Sequence, residues 1–267
     1  MAAMTPVHTT TDQVRRAAAR LRDASDQRTP CAPVRDLIGA SDLDAAYAVQ
    51  RLHTDARLRA GAIIRGHKIG LTSPAVQAQL GVDQPDFGVL FDDMCCPDGQ
   101  VPVDELIQPK VEAEIAFELS HDLVDGELNA AQVRAAVACA MPAIEIVDSR
   151  IANWDITFGD TVADNGSSAR YVLGERRLSL TAYEPVTSEM TMTVGGQTVS
   201  TGNGAACLGD PLVALAWLAR TARDFGEPLR AGHLVLSGAL GPMVSVRRGD
   251  VVRAEITGLG DVTATFN

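Results

Sequence analysis

Lys110-Val111-Glu112-Ala113-Glu114-Ile115-Ala116-Phe117 is the stretch on which the reading of this chain turns. Successive side chains of a strand leave by opposite faces. Val111, Ala113, Ile115 and Phe117 therefore form one face, and Glu112, Glu114 and small Ala116 the other. Two carboxylates on one strand face, backed by apolar residues, repel each other and lose hydration unless something compensates them. A divalent cation bound through oxygen is one compensation. A half-exposed strand with a polar outer face is the alternative. Working outward, Pro142-Ala143-Ile144-Glu145-Ile146-Val147-Asp148 reads as a second apolar strand with one acid near its middle. Enough chain separates Glu145 from Glu114 for a helix and a return strand. Three carboxylates, with coordination positions left for water and substrate, suit Mg²⁺ or Mn²⁺.

The chain has 267 residues, room for one large or two small domains, and 46% hydrophobic residues, enough for a sizeable core. A net charge of -11 argues against nucleic acid as a partner. No apolar run is long enough to span a bilayer, and the arginine-bearing N-terminus has no signal-peptide core. The five cysteines, Cys31, Cys95, Cys96, Cys139 and Cys207, form no C-x-x-C pair. They read as reduced thiols of a cytoplasmic protein. Of 23 basic residues only Lys68 and Lys110 are lysine. A genome rich in arginine codons explains most of that bias. Lysine alone of the two exchanges a proton readily near neutral pH, so the survivors are candidates for chemistry.

Helices are expected from Thr11 or Asp12 through Leu21, from Ser41 to Ala60, from Ala130 to Ala140 and from Pro211 to Phe225, with Thr29 to Pro33 a linker. Residues 62–71 read as a strand ending in a glycine-bearing loop, Ser73 to Leu80 as a short helix, and 84–88 as a tight turn. Strands are expected at Val111–Leu119, Ala143–Val147, Met190–Val194, Leu234–Leu236 and Val251–Ile256. Asp155 to Ser168 reads as a turn-rich loop. Ser237 to Met243 is either a place of close backbone approach to a ligand or a tight connection. Helices and strands do not alternate regularly, which points to α+β. No dinucleotide fingerprint or P-loop supports a nucleotide cofactor.

Five stretches carry a family resemblance: G-H-K-I-G-L-T-S at 66–73, Q-L-G-V-D-Q-P-D-F-G at 79–88, Q-P-K-V-E-A-E-I-A at 108–116, D-T-V-A-D-N-G-S-S at 160–168 and S-G-A-L-G-P-M-V at 237–244. From roughly residue 40 onward the chain resembles the 2-hydroxypenta-2,4-dienoate hydratases (2-oxopent-4-enoate hydratases) of aromatic meta-cleavage pathways, within the fumarylacetoacetase-like superfamily. Gly166 stands where relatives often have alanine. The resemblance implies an N-terminal helical or mixed subdomain, 1–75, followed by a β-rich catalytic domain, 76–267. It implies that Glu112, Glu114 and Glu145 hold the metal and that Lys68, Asp86 and Ser168 are catalytic. Leu71, Ser167, Gly238 and Leu240 would line the substrate, a small 2-oxo or 2-hydroxydienoic acid. For Lys110 an ion pair with an acid is the default. The resemblance further implies a homo-oligomer, with a pathway aldolase or decarboxylase as a possible partner. Two rival readings stand beside it: a 4-oxalocrotonate (2-oxo-3-hexenedioate) decarboxylase, and an inactive partner subunit. S-G-A-L-G-P-M-V resembles the hydratase version.

Overall fold

The computed structural model describes residues 9–73, 77 and 82–267. Strand β4 (Lys110–Leu119) pairs antiparallel with β5 (Val137–Val147), and side-chain alternation sorts apolar residues into two layers. Val111, Ala113, Ile115 and Phe117 enter the main core. Ala116 joins a smaller cluster with Met141, Ala143, Tyr171 and Leu236. The sheet holding this pair runs in the order β2 (Asp86–Phe91), β1 (Ile64–Gly70), β9 (Leu234–Leu236), β4, β5 and β6 (Ser168–Leu173), with β10 (Val244–Ser245) added to β4. Strand β1 is parallel to β9 and antiparallel to β2, so it lies within the same sheet as the glutamates.

A second sheet has the order β3 (Gln100–Val101), β12 (Gly260–Phe266), β11 (Val251–Ile256), β7 (Glu189–Val194) and β8 (Gln197–Asn203). Val252, Ala254 and Ile256 are buried while Val251, Arg253 and Glu255 are exposed, so one face packs on the core and the other meets water. Helix α1 (Thr11–Gln27) starts from a capping box made by Thr10 and Gln13. Helix α2 (Arg35–Ile38) leads into α3 (Leu43–Arg59), whose cap is Asp42. Helices α4 (Ala130–Ala136), α5 (Phe158–Ala163) and α6 (Pro211–Asp224) complete the set described.

Three expectations need correction. Residues 86–88 are strand: Asp86 pairs with Gly70 and Gly88 with Lys68. Of the expected turn, Gln84 and Pro85 alone lack regular structure. The helix expected to Ala140 stops at Ala136, because from Val137 onward the backbone pairs with β4. Pro142 is tolerated there because its partner Ile115 turns both backbone groups the other way, accepting from Ser237 N–H and donating to Ser237 Oγ. The stretch 155–168 is no plain loop. It holds fully buried α5, then a left-handed turn, then the first residue of β6. The short helix expected from Ser73 to Leu80 falls mostly outside the described residues.

Candidate active site

Glu112 and Glu145 are cross-strand partners, and Glu114 stands two residues along β4 on the same face. Directly opposed side chains in an antiparallel pair lie close together. Each of the three offers a carboxylate oxygen, all within 4.8 Å of one another. Glu114 and Glu145 have no solvent exposure, and Glu112 keeps some. Gly238 N–H donates to Glu114 Oε2 at 2.8 Å. Glu114 Oε1 and both Glu145 oxygens have no hydrogen-bond partner. Burial pushes all three carboxyls above the usual range, Glu112 up to about 7, while Lys68 pulls against it. For Glu114, repulsion from Glu145 and Glu112 adds to the rise. Buried anionic oxygens without donors are costly. Gathered this closely, with no soft donor among them, they fit a hard divalent cation.

Lys68 and Asp86 reach the same face from neighbouring strands. Lys68 Nζ lies 3.4 Å from Glu145 Oε2 and donates to the Gly166 carbonyl at 3.0 Å. Burial opposes its charge, but Glu145, Asp86, Glu112 and Glu114 outweigh that and raise it above the ordinary lysine value. Asp86 is 1% exposed. Thr161 Oγ1 donates to its Oδ2 at 3.5 Å, and its Oδ1 has no partner. Burial raises its carboxyl, with Lys68 opposing. Gly70 makes the juxtaposition feasible: a Cβ there would stand 2.1 Å from Asp86 Oδ1 and 3.2 Å from Lys68 Nζ.

The turn before β6 completes the arrangement. Asn165, Gly166 and Ser167 all take left-handed φ, at 57°, 62° and 55°. Leu71, just beyond β1, does so too at 56°. Left-handed backbone at non-glycine residues is strained and is enriched at functional sites. The buried hydroxyls of Ser167 and Ser168 have no partner. Ser168 stands beside Glu145 and favours its ionised form, although no hydrogen bond joins the two.

Not every candidate converges. The Leu240 N–H is engaged with the Ala113 carbonyl at 3.0 Å, and its side chain is in the main core. Gly238 is occupied with Glu114, and a Cβ there would collide with Thr72 at 2.4 Å. Lys110 makes no ion pair among the described residues; its ammonium lies 4.2 Å from the centre of the Trp154 ring. His67, next to Lys68, puts its ring 5.9 Å from Phe87, and burial lowers it to about 3. Three groups escaped the sequence reading: Gly70, Thr161 and the Gly166 carbonyl. For Gly70 the spacing K-I-G was a signal, since residues two apart on a strand share a face. A backbone acceptor such as Gly166 leaves none.

Comparison with known proteins gives the family. Residues 76–267 match the family model for the fumarylacetoacetate (FAA) hydrolase C-terminal domain. The 2-keto-4-pentenoate hydratase of Burkholderia vietnamiensis strain G4 is 53% identical, covering 93% of this chain and 95% of its own. A 2-hydroxyhexa-2,4-dienoate hydratase of Comamonas testosteroni is 38% identical over 92% of this chain and 95% of its own. Among solved structures, 4-oxalocrotonate decarboxylase from Pseudomonas putida G7, complexed with magnesium and adipate, superposes with a TM-score of 0.92 at 35% identity, covering 97% of this chain and 98% of its own. The chain belongs to the 2-oxopent-4-enoate hydratase family of the fumarylacetoacetase-like superfamily.

Proposed function

We propose that this protein adds water to 2-hydroxypenta-2,4-dienoate to give 4-hydroxy-2-oxopentanoate. The observation that carries the reading is the convergence of three metal-competent glutamates with Lys68 and Asp86 on one sheet face. Names of relatives at 53% identity point to the same reaction. Mg²⁺ or Mn²⁺ held by Glu112, Glu114 and Glu145 would supply Lewis-acid stabilisation of negative charge on a substrate bound through its C1 carboxylate and C2 oxygen. Lys68, kept cationic by its carboxylate neighbours, adds a fixed positive charge that favours the enolate. Asp86 is the acid/base: burial raises its carboxyl, which favours the protonated form, and Oδ1 is unengaged. Loss of the C2 hydroxyl proton and protonation at C5 give the conjugated 2-oxo acid. Water then adds at C4, and C3 takes the second proton. Ser168, and Ser167 beside it, offer unengaged hydroxyls to substrate or water, and Leu71 offers strained backbone. Gly238 shapes the site through Glu114, and Leu240 anchors that loop to β4.

The likeness to a decarboxylase structure favours a second reading, loss of CO₂ from 2-oxo-3-hexenedioate. One paired assay separates them. The dienol absorbance is expected to disappear on adding protein with Mg²⁺ or Mn²⁺ and to persist with a chelator. CO₂ release from the dicarboxylate without dienol hydration would replace the hydratase reading. A homo-oligomer acting in the cytoplasm, in aromatic meta-cleavage catabolism beside an aldolase or decarboxylase, is the setting proposed on family grounds.

A further inference from the structure

Three residues past the end of β5 stands a side chain with no hydrogen bond or ion pair to Glu112, Glu114, Glu145 or Asp86. The Arg150 guanidinium makes four donations around the turn at 165–167. Nε donates to Asp164 Oδ1 at 2.5 Å, and Nη2 donates to the Asp164 carbonyl. Nη1 donates to the Ser168 carbonyl at 3.1 Å and to the Asp148 carbonyl at 2.8 Å. Its own backbone N–H donates to Asp164 Oδ2 at 2.9 Å. One planar group thus joins the residue before the left-handed turn, the residue after it and the end of the strand bearing Glu145. The pair is well shielded, with 13% of the Arg150 side chain and 2% of that of Asp164 exposed. Other bonds hold the turn from outside: Asn165 exchanges hydrogen bonds with the Val89 backbone, and Asp148 N–H donates to the Ser167 carbonyl. Among the described residues, only Arg150 clasps both ends at once. A turn with three left-handed residues needs such over-determination to persist.

We propose that Arg150 is a positioning residue of this active site, clasping the 165–167 turn so that the Gly166 carbonyl holds the Lys68 ammonium and Ser168 faces Glu145. This rests on the hydratase reading above. The guanidinium fork is essential to it, because a lysine ammonium supplies one compact charge and cannot span three carbonyls and a carboxylate.

The test compares wild type, Arg150→Ala and Arg150→Lys. It measures Mn²⁺ affinity, melting, kcat and KM on the dienoate, and pyruvate affinity of the Mn²⁺-loaded protein. Misplacing a reacting group by about 1 Å costs about 100-fold in rate. Both variants are therefore expected to lose about 100-fold in kcat, with Mn²⁺ affinity falling by less than the roughly 10-fold that loss of an outer-shell partner costs. Millimolar guanidinium is expected to restore part of the Arg150→Ala rate and to leave Arg150→Lys unmoved. A folded Arg150→Lys with near wild-type kcat overturns the proposal. So does a rate loss that only tracks lost Mn²⁺ affinity, or failure of both variants to fold. Should wild type not turn over the dienoate, the hydratase reading falls by itself. Pyruvate affinity then decides for Arg150: weakening at unchanged Mn²⁺ affinity supports the clasp, and unchanged binding overturns it.

Discussion

Glu114 has one oxygen bonded to Gly238 N–H and one with nothing. That asymmetry makes it the most informative single residue to change. Glu114→Gln keeps the shape and an oxygen for Gly238 but removes the charge a cation needs. Loss of an outer-shell partner typically costs 10- to 100-fold in metal affinity. A direct ligand is expected to cost more, so metal-dependent turnover should fall by more than about 100-fold while the circular dichroism spectrum stays native. Chelator-resistant activity in wild type would remove the metal site altogether. Lys68→Ala separates the two halves of the machinery. It is expected to lower kcat by about 100- to 1,000-fold, the range for one electrostatic stabiliser, with a smaller change in metal affinity. An unchanged rate would end its proposed role. Raised by its carboxylate neighbours, Lys68 is better described as a fixed charge than as a neutral base.

At the scale of elements, the site is made by sheet order. Lys68 comes from β1, Asp86 from β2, Glu112 and Glu114 from β4, Glu145 from β5 and Ser168 from the start of β6. Gly70 lies opposite Asp86 in register, and absence of a side chain there leaves room for the Asp86 carboxyl and the Lys68 ammonium. Gly70→Ala puts a methyl 2.1 Å from Asp86 Oδ1, so the carboxyl must move away. About 100-fold loss in kcat is expected, with Mn²⁺ affinity little changed; kinetics alongside Mn²⁺ titration check it. Wild-type kcat in this variant would dismiss Asp86 as acid/base. The same dependence on sheet order sets how much was legible in the sequence. Alternation along 110–117 is a local, period-two signal, and it located Glu112 and Glu114 and the two faces. The strand at Val251–Ile256 was legible for the same reason, and that at Leu234–Leu236 as a short apolar run, buried throughout. Asp86 reads locally as a turn former after Pro85, and only its partner Gly70 makes it strand. Likewise, nothing near Arg150 announces Asp164 or Ser168, which join it through the fold.

For the whole molecule, the glutamate cluster is a cost when metal-free, and a cation bound there would turn it into an asset. A ligand that binds only the folded state stabilises it by RT ln(1 + [L]/Kd), about 2.7 kcal/mol at a hundredfold excess over Kd. At about 2–4 °C per kcal/mol for a chain of roughly this length, Mn²⁺ is expected to raise Tm by roughly 5–11 °C. The sign of the pH dependence follows from Glu112, whose carboxyl is raised to about 7. Without metal, folded Glu112 keeps its proton to higher pH than the unfolded chain does. That stability is present below the ordinary carboxyl range and is lost as pH rises through about 7. With metal the trend reverses, because the proton competes with the cation. Mn²⁺ affinity is expected to drop at least about tenfold per pH unit below about 7, and binding should release protons to the buffer. Scanning calorimetry at pH 6 and pH 8, with Mn²⁺ and with a chelator, reads both signs at once. The Mn²⁺-induced rise in Tm should be larger at pH 8. A rise that is equal at the two pH values would mean that these three carboxylates are not where the cation binds.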